Sequence, residues 1–244
     1  MATNLPVMNR RFFLASVAAS CLGVAHAQTA SAVPAPLIYY AGQAGRLTSD
    51  RDGQGGNPFA SALVEVIAQK PLTLARFTER LAFENSIKSQ GWQQMDYPRV
   101  LPTPKVRLDR GDKRVALVLI NSDYSKSDAY SLPGARFDAK RVPEALTAAG
   151  FATTLVLDVD AASGRKALEA FKTLSENADL ALIYIGGHGA QRSRDVYWLM
   201  GDFPGQDAKW LDDYAITVEE IAGAAKAREL NLVLYASCRD NPFS

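Results

Sequence analysis

A cysteine and a histidine brought within reach of each other can do acyl-transfer chemistry, and this chain offers one such pair. His188 ends the run Leu182-Ile183-Tyr184-Ile185-Gly186-Gly187-His188-Gly189, and Cys238 follows Leu232-Val233-Leu234-Tyr235-Ala236-Ser237. A thiol is a weak nucleophile near neutral pH, but an imidazole can take its proton and later return it to a departing amine, so the pair points to a thiol hydrolase. The chain has two histidines and two cysteines in all. The other two, Cys21 and His26, lie in an N-terminal stretch that reads as a removable leader. A mature chain with one cysteine forms no internal disulfide, and a lone thiol in an oxidising compartment needs a reason, either burial as a small hydrophobe or chemistry.

The elements that carry the pair are legible as patterns. Continuous apolar runs read as buried parallel strands, so both residues should emerge at strand C-terminal ends, where open α/β sheets form their ligand crevice. Val115 to Ile120 is another such run. Ala135, Ala139, Val142, Leu146 and Ala149 then recur at helical spacing, Gly150 closes that helix, and Pro143 is expected to kink or shorten it. A strand at Ala152 to Leu157 leads to a helix with Ala167, Phe171 and Leu174 on one face. Leu180 to Ile185 delivers His188, Tyr197 to Met200 makes a small hairpin arm, and Asn231 to Tyr235 delivers Cys238. Thr217 and Glu220 form a capping box for a helix that buries Val218, Ile221, Ala222 and Ala225. The alternation implies an α/β fold, a mostly parallel, doubly wound sheet with helices on both faces.

Composition narrows the function. Lys and Arg number 27 against 26 Asp and Glu, which leaves no electrostatic footprint for nucleic acid or an anionic membrane. Residues 1–27 have the form of an export signal: a charged start at Arg10-Arg11, an apolar stretch from Phe12 to Ala25, and Ala25-His26-Ala27 as a cleavage site. The stretch is too short to span a bilayer stably. Arg10-Arg11-x-Phe13-Leu14 resembles the bacterial twin-arginine signal, so the expected location is periplasmic or secreted; ordinary secretion and a lipid anchor on Cys21 are the alternatives.

Taken together, these residues resemble the caspase-like cysteine peptidases, including metacaspases and bacterial caspase-like domains. The resemblance rests on a strand ending in Gly187-His188-Gly189, a second ending in Ser237-Cys238-Arg239-Asp240-Asn241-Pro242-Phe243, and about fifty residues between the two. Val118 to Tyr124 and Phe137-Asp138-Ala139 look like that family's first strand and the start of its first helix. The segment Leu37 to Gly45, with Ser49 to Phe59 after it, looks like what in this family follows the catalytic cysteine, yet here it comes first. The chain therefore reads as a circular permutation: a small-subunit-like part at 28–104, a linker at 105–113, and a large-subunit-like part at 114–244. In that arrangement Leu37 to Ala41 pairs beside Asn231 to Tyr235. Asn57 caps one helix with Phe59, Leu63 and Val66 inward, Thr73 starts a second, and Trp92 to Val100 supplies a last strand.

The resemblance implies an endopeptidase acting on proteins or peptides, with Cys238 as nucleophile, His188 as base and acid, and backbone amides of Gly189 and Cys238 holding the oxyanion. Asp123, after the first strand, is the candidate for recognising a basic side chain before the cut. Metacaspases carry an Asp two residues before the cysteine for this purpose, and here that position is Ala236. The run Lys105, Arg107, Arg110, Lys113 and Arg114 is the natural place for self-cleavage if basic residues are accepted. No cofactor or metal is implied by the residues: Asp50-x-Asp52-Gly53 opens like a calcium loop but lacks the closing carboxylate, so it reads as a plain turn and calcium dependence has no support in the sequence. The sequence leaves open whether two copies pair through their edge strands.

Overall fold

The computed structural model describes residues 1–2, 32–127, 129–205 and 207–243. The export-signal reading rests on positions, Cys21 among them, that lie outside the described residues. From Ala32 onward the chain is one compact unit. It is built from β1 (Leu37–Tyr40), α1 (Pro58–Ile67), α2 (Leu74–Lys88), β2 (Arg114–Ile120), α3 (Pro133–Ala148), β3 (Ala152–Leu157), α4 (Ala161–Ser175), β4 (Leu180–Gly186), β5 (Gly189–Arg192), β6 (Asp195–Leu199), α5 (Leu211–Tyr214), β7 (Ala215–Thr217), α6 (Val218–Ala222) and β8 (Leu230–Tyr235).

Five strands form a parallel sheet in the order β1-β8-β4-β2-β3. Its three inner strands are buried almost throughout, as a parallel sheet covered on both faces requires, while β1 and β3 at the edges are partly exposed. Alternation along each strand divides the core in two. Leu182, Tyr184, Leu232 and Leu234 face α1, α2 and α3. Ile183, Ile185, Val233 and Tyr235 face α4, α6 and the hairpin. The chain leaves β2 through α3 to β3, then returns through α4 to β4 on the other side of β2, so the sheet's switch point, where a ligand crevice opens, lies between β2 and β4.

The local signals explain most boundaries. Asn57 accepts from Phe59 N–H, Thr73 from Arg76 N–H and Thr217 from Glu220 N–H, each satisfying a free donor at a helix start. Gly150, at φ +94°, ends α3: its N–H donates to Thr147 O at 2.9 Å and Phe151 N–H donates to Leu146 O at 3.0 Å, with Phe151 and Leu146 both buried.

β1 lies beside β8 in parallel register, Leu37 opposite Leu232 and Tyr40 opposite Tyr235, the pairing expected from the sequence. Residues of β1, α1 and α2 share one core with β2, α3 and β4.

Three expectations need correction. Pro143 neither shortens nor interrupts α3, which runs on to Ala148; Ala135, Ala139, Val142 and Leu146 anchor the helix to the sheet on both sides of the lost hydrogen bond. The buried face of α4 is Ala161, Gly164, Leu168, Phe171 and Ser175, and Leu174 points outward. Residues 92–100 form no strand: a single antiparallel bridge joins Asp96 to Tyr40. The linker at 105–113 is tied to the body at its middle, while Lys105, Arg110 and Lys113 are exposed. Leu74 N–H donates to Val106 O and Leu108 N–H to Leu72 O, both at 2.8 Å, and Leu108 is buried. Arg107 is clamped on Asp109, and Arg114, at the foot of β2, donates to Leu108 O and Ala149 O.

Candidate active site

His188 is presented by a turn that tolerates no side chain at its centre. Gly187 sits at φ +134°, and a Cβ there would lie 2.8 Å from Asn121 O and Tyr124 Oη and 2.9 Å from Trp198 Nε1. Beyond the turn His188 is held at several atoms. Its N–H donates to Tyr124 Oη at 2.7 Å, its carbonyl accepts from Leu199 N–H at 3.0 Å, and the Tyr124 ring meets the imidazole edge-on at 4.4 Å. Ring atom Nε2 lies 2.9 Å from Tyr130 O. A carbonyl can only accept, so Nε2 carries the hydrogen and, in the neutral ring, Nδ1 is the free base. Burial holds the imidazole below its usual pKa, with the Tyr130 carbonyl, Asp50 and Asp240 opposing that shift.

Cys238 follows the neighbouring strand. β4 and β8 are adjacent and parallel, with Ile185 opposite Tyr235 and Ala236 N–H donating to Ile185 O at 2.8 Å, so both residues emerge at the same sheet edge. The turn carrying the thiol is zipped to the loop after β1: Arg239 N–H donates to Arg46 O at 3.0 Å and Gly45 N–H to Arg239 O at 2.9 Å. The Arg239 guanidinium reaches Asp96 Oδ2 at 2.8 Å and Gln191 Oε1 at 3.2 Å and stacks 3.9 Å from the Tyr40 ring. The hydrogen bonds found for Cys238 Sγ are all with Thr48, whose N–H lies at 3.3 Å and hydroxyl at 3.4 Å. Burial pushes the thiol pKa up, and the Thr48 hydrogen bonds pull it back down.

Gly189 packs where only a glycine fits, since a Cβ there would come within 2.7 Å of Cys238 O. Leu199 N–H bonds to His188 O, so the next residue of the antiparallel ladder turns its N–H away from β6. Gln191, in phase with Gly189, uses that direction to donate to Asp240 O at 2.7 Å. The Gly189 amide thus faces the loop that carries Cys238.

Two cavities meet at the pair, and His188 and Cys238 line both. One, of about 230 Å³, is walled by Leu47, Leu199, Phe203, Pro242 and Phe243. The other, of about 240 Å³, contains Leu132, Ala236 and two carboxylates, Asp50 and Asp138. Helix α3 has no side-chain cap of its own, and Asp50 supplies one from a distant loop, accepting from Gly134 N–H at 2.8 Å and Ala135 N–H at 3.0 Å. Asp138 is 1 % exposed and accepts from Arg141 Nε at 2.7 Å and Asn57 N–H at 3.0 Å. Burial, against the opposing effects of Arg141 and Asn57, raises its pKa to about 7.

Asp123 is not brought to the pair. It lines neither cavity, is exposed, and accepts from Ser125 N–H and Ser131 Oγ within its own loop. The carboxylates that line a cavity with the pair are Asp50, which reads in the sequence as part of a plain turn, and Asp138. Thr48 belongs to no motif, and Tyr124 stands in the sequence only as the end of the first-strand segment, so neither is marked there as a site residue. Asp138 stands in Phe137-Asp138-Ala139, and its polarity on the buried face of α3 is the signal that marks it. Among the described residues no group of three or more His, Cys, Asp or Glu side chains is arranged to hold a metal ion, and no helix is long and apolar enough to cross a membrane.

No curated protein matches the chain. A family model described as the caspase domain matches residues 113–242, from the foot of β2 to just past Cys238. That match takes in more than half of the chain and every strand of the parallel sheet except β1, so the chain belongs to the caspase-domain family of peptidases.

Proposed function

We propose that this chain is a cysteine endopeptidase, with Cys238 as nucleophile and His188 as the base and acid. The observation that carries the reading is the exit of both residues from neighbouring parallel strands into two shared cavities. In the proposed cycle, His188 Nδ1 takes the thiol proton and the thiolate adds to the scissile carbonyl. The amides of Gly189 and Cys238 hold the developing oxyanion. Collapse of the tetrahedral adduct breaks the C–N bond, the amine leaves with the proton from His188, and water delivered through His188 hydrolyses the thioester.

The cavities suggest the substrate. Nε2 is tied to Tyr130, which borders the acidic cavity, so Nδ1 and the amine it protonates lie toward the apolar one. The acyl side of the substrate then occupies the cavity with Asp50 and Asp138, which favours Lys or Arg before the cut. The leaving side meets Leu199, Phe203 and Phe243, which favours an apolar residue after it. The missing carboxylate at Ala236 is thereby replaced from other elements. Circular permutation is part of the same reading, supported by β1 lying against β8 and by the loop after β1 enclosing Cys238. Export by a twin-arginine signal, supported by Arg10-Arg11 and the apolar run behind them, would deliver the enzyme folded to the periplasm or beyond.

The test uses peptidyl acyloxymethyl ketones ending in Arg, Asp or Leu, with the labelled residue mapped by mass spectrometry. Labelling of Cys238 by the Arg probe, lost in Cys238→Ala and strongly slowed in His188→Ala, is the expected result. Failure of every probe to label Cys238, together with no hydrolysis of any peptide, would leave a caspase-like binding module without turnover.

A further inference from the structure

The sulfur of Cys238 is enclosed by a residue from outside the matched domain. Thr48 approaches it with three groups: its N–H at 3.3 Å, its hydroxyl at 3.4 Å and its carbonyl at 3.8 Å. The same hydroxyl lies 3.3 Å from Ala236 O. The approach is fixed on both sides. Residues 45 and 46 are bonded to Arg239 through the backbone, Ser49 N–H donates to Gln93 Oε1 at 2.7 Å, and Asn57 Nδ2 donates to Ser49 O at 2.8 Å. Thr48 therefore cannot drift from the sulfur without breaking bonds to three other segments.

We propose that the Thr48 hydroxyl is a catalytic group that reverses its hydrogen bond as Cys238 ionises, accepting from the thiol at rest and donating to the thiolate in the attack. In the resting state the hydroxyl hydrogen points to Ala236 O, and the S–H is shared between a lone pair of that hydroxyl and the Thr48 carbonyl. When the proton passes to His188 Nδ1, one S–H bond breaks and one N–H bond forms. The sulfur, now an acceptor only, receives the rotated hydroxyl and the Thr48 N–H together. Once the sulfur is acylated it accepts weakly, and the hydroxyl returns to Ala236 O. The device answers a specific difficulty. Burial penalises the thiolate, and Asp50 and Asp240 oppose it further, so the fixed Thr48 donors add to the stabilisation that the newly formed His188 imidazolium supplies. The titratable groups facing the thiol are His188, Asp50, Asp240, Tyr124 and Tyr235, and a change at residue 48 leaves all of them in place.

This inference rests on Cys238 as the nucleophile, but its test needs no turnover. The full chain and its Thr48→Val and Thr48→Ser variants are alkylated with iodoacetamide across a range of pH, and modification of Cys238 is followed by intact mass. Thr48→Val should move the alkylation midpoint to higher pH and slow modification about 3- to 10-fold near neutrality, while Thr48→Ser keeps the original midpoint. If the valine does not fold, Thr48→Ala is read in its place. A valine variant with an unchanged midpoint, or a serine variant displaced as far as the valine, overturns the proposal. The expected shift in a chain that cleaves no peptide would sink the peptidase reading and keep the hydroxyl's role. An active enzyme without the shift would do the reverse.

Discussion

Replacing Tyr124 with Phe isolates the hydrogen bonds that hold His188. The Tyr124 ring is buried and meets the imidazole edge-on, and Phe keeps that contact. What it removes is one oxygen with two tasks: accepting from His188 N–H at 2.7 Å and donating to Leu199 O at 3.0 Å. Leu199 O retains a long contact with Asn121 Nδ2 at 3.5 Å, so the larger loss falls on the His188 amide, whose acceptor is removed outright. An unsatisfied buried donor costs about 1–3 kcal/mol and the second lost bond about 1 kcal/mol, which gives roughly 2–4 kcal/mol of lost stability. For a domain of this size that is about 4–16 °C in melting temperature. Urea unfolding should show the midpoint falling with an unchanged slope, which separates lost stability from a changed denatured state. Because the freed amide also loosens the imidazole, labelling of Cys238 by a peptidyl electrophile should slow about tenfold near neutral pH. A variant within about 0.5 kcal/mol of the parent, labelled at the parent's rate, would refute the account of how His188 is positioned.

Other substitutions probe the remaining supports. Gly187→Ala forces a side chain at positive φ into Asn121 O and Tyr124 Oη, and should either prevent folding or cost more than about 2 kcal/mol in urea titrations; a variant as stable as the parent would contradict the turn described. Arg239→Lys keeps the charge but cannot span Asp96, Gln191 and the Tyr40 ring at once, so a drop of about 2–4 kcal/mol is expected, with Cys238 becoming more reactive to small alkylating agents as its loop opens; unchanged stability and reactivity would count against it. The Asp138 pKa, raised to about 7, makes a pH prediction: below that value the carboxyl is protonated and above it charged. The preference for Arg over citrulline before the cut, taken as a ratio of kcat/KM so that dyad titration cancels, should therefore climb between about pH 6 and pH 8 and flatten in Asp138→Asn. A ratio that falls with pH would remove Asp138 from substrate recognition.

The frame of the molecule is written in local signals. Apart from Arg114 at the start of β2 and Asn231 in β8, the strands β2, β4 and β8 are unbroken runs without a charged or amide side chain, and only a strand covered on both faces has a use for such a run. Asn57, Thr73 and Thr217 mark helix starts because each supplies the oxygen that a first turn lacks. Where the reading slipped, partners decided. The inward side of α4 includes Ser175, whose hydroxyl donates to Ala224 O at 2.9 Å and accepts from Lys226 N–H at 3.0 Å, so counting apolar residues alone chose Leu174 instead. Pro143 survives in mid-helix because the sheet contacts on either side of it outweigh one absent donor.

The site divides along the same line, and the reason is topological. His188 and Cys238 stand at the ends of readable strands, so their meeting follows once the strands are adjacent. Thr48, Asp50 and Asn57 belong to an irregular, glycine-rich loop with no period, and each acts on a group far away in sequence: Thr48 on Cys238, Asp50 on the first turn of α3, and Asn57 on both Asp138 and Ala236. These contacts arise because β1 takes the place beside β8. With Tyr40 opposite Tyr235, the residues after Tyr40 must run alongside those after Tyr235, which are the residues of the turn that carries Cys238. A carboxylate at Asp50 looks like a solvated turn until that register is known. Once it is, the same carboxylate becomes the cap of the helix that opens onto the acidic cavity, and the loop that carries it becomes a wall of the site.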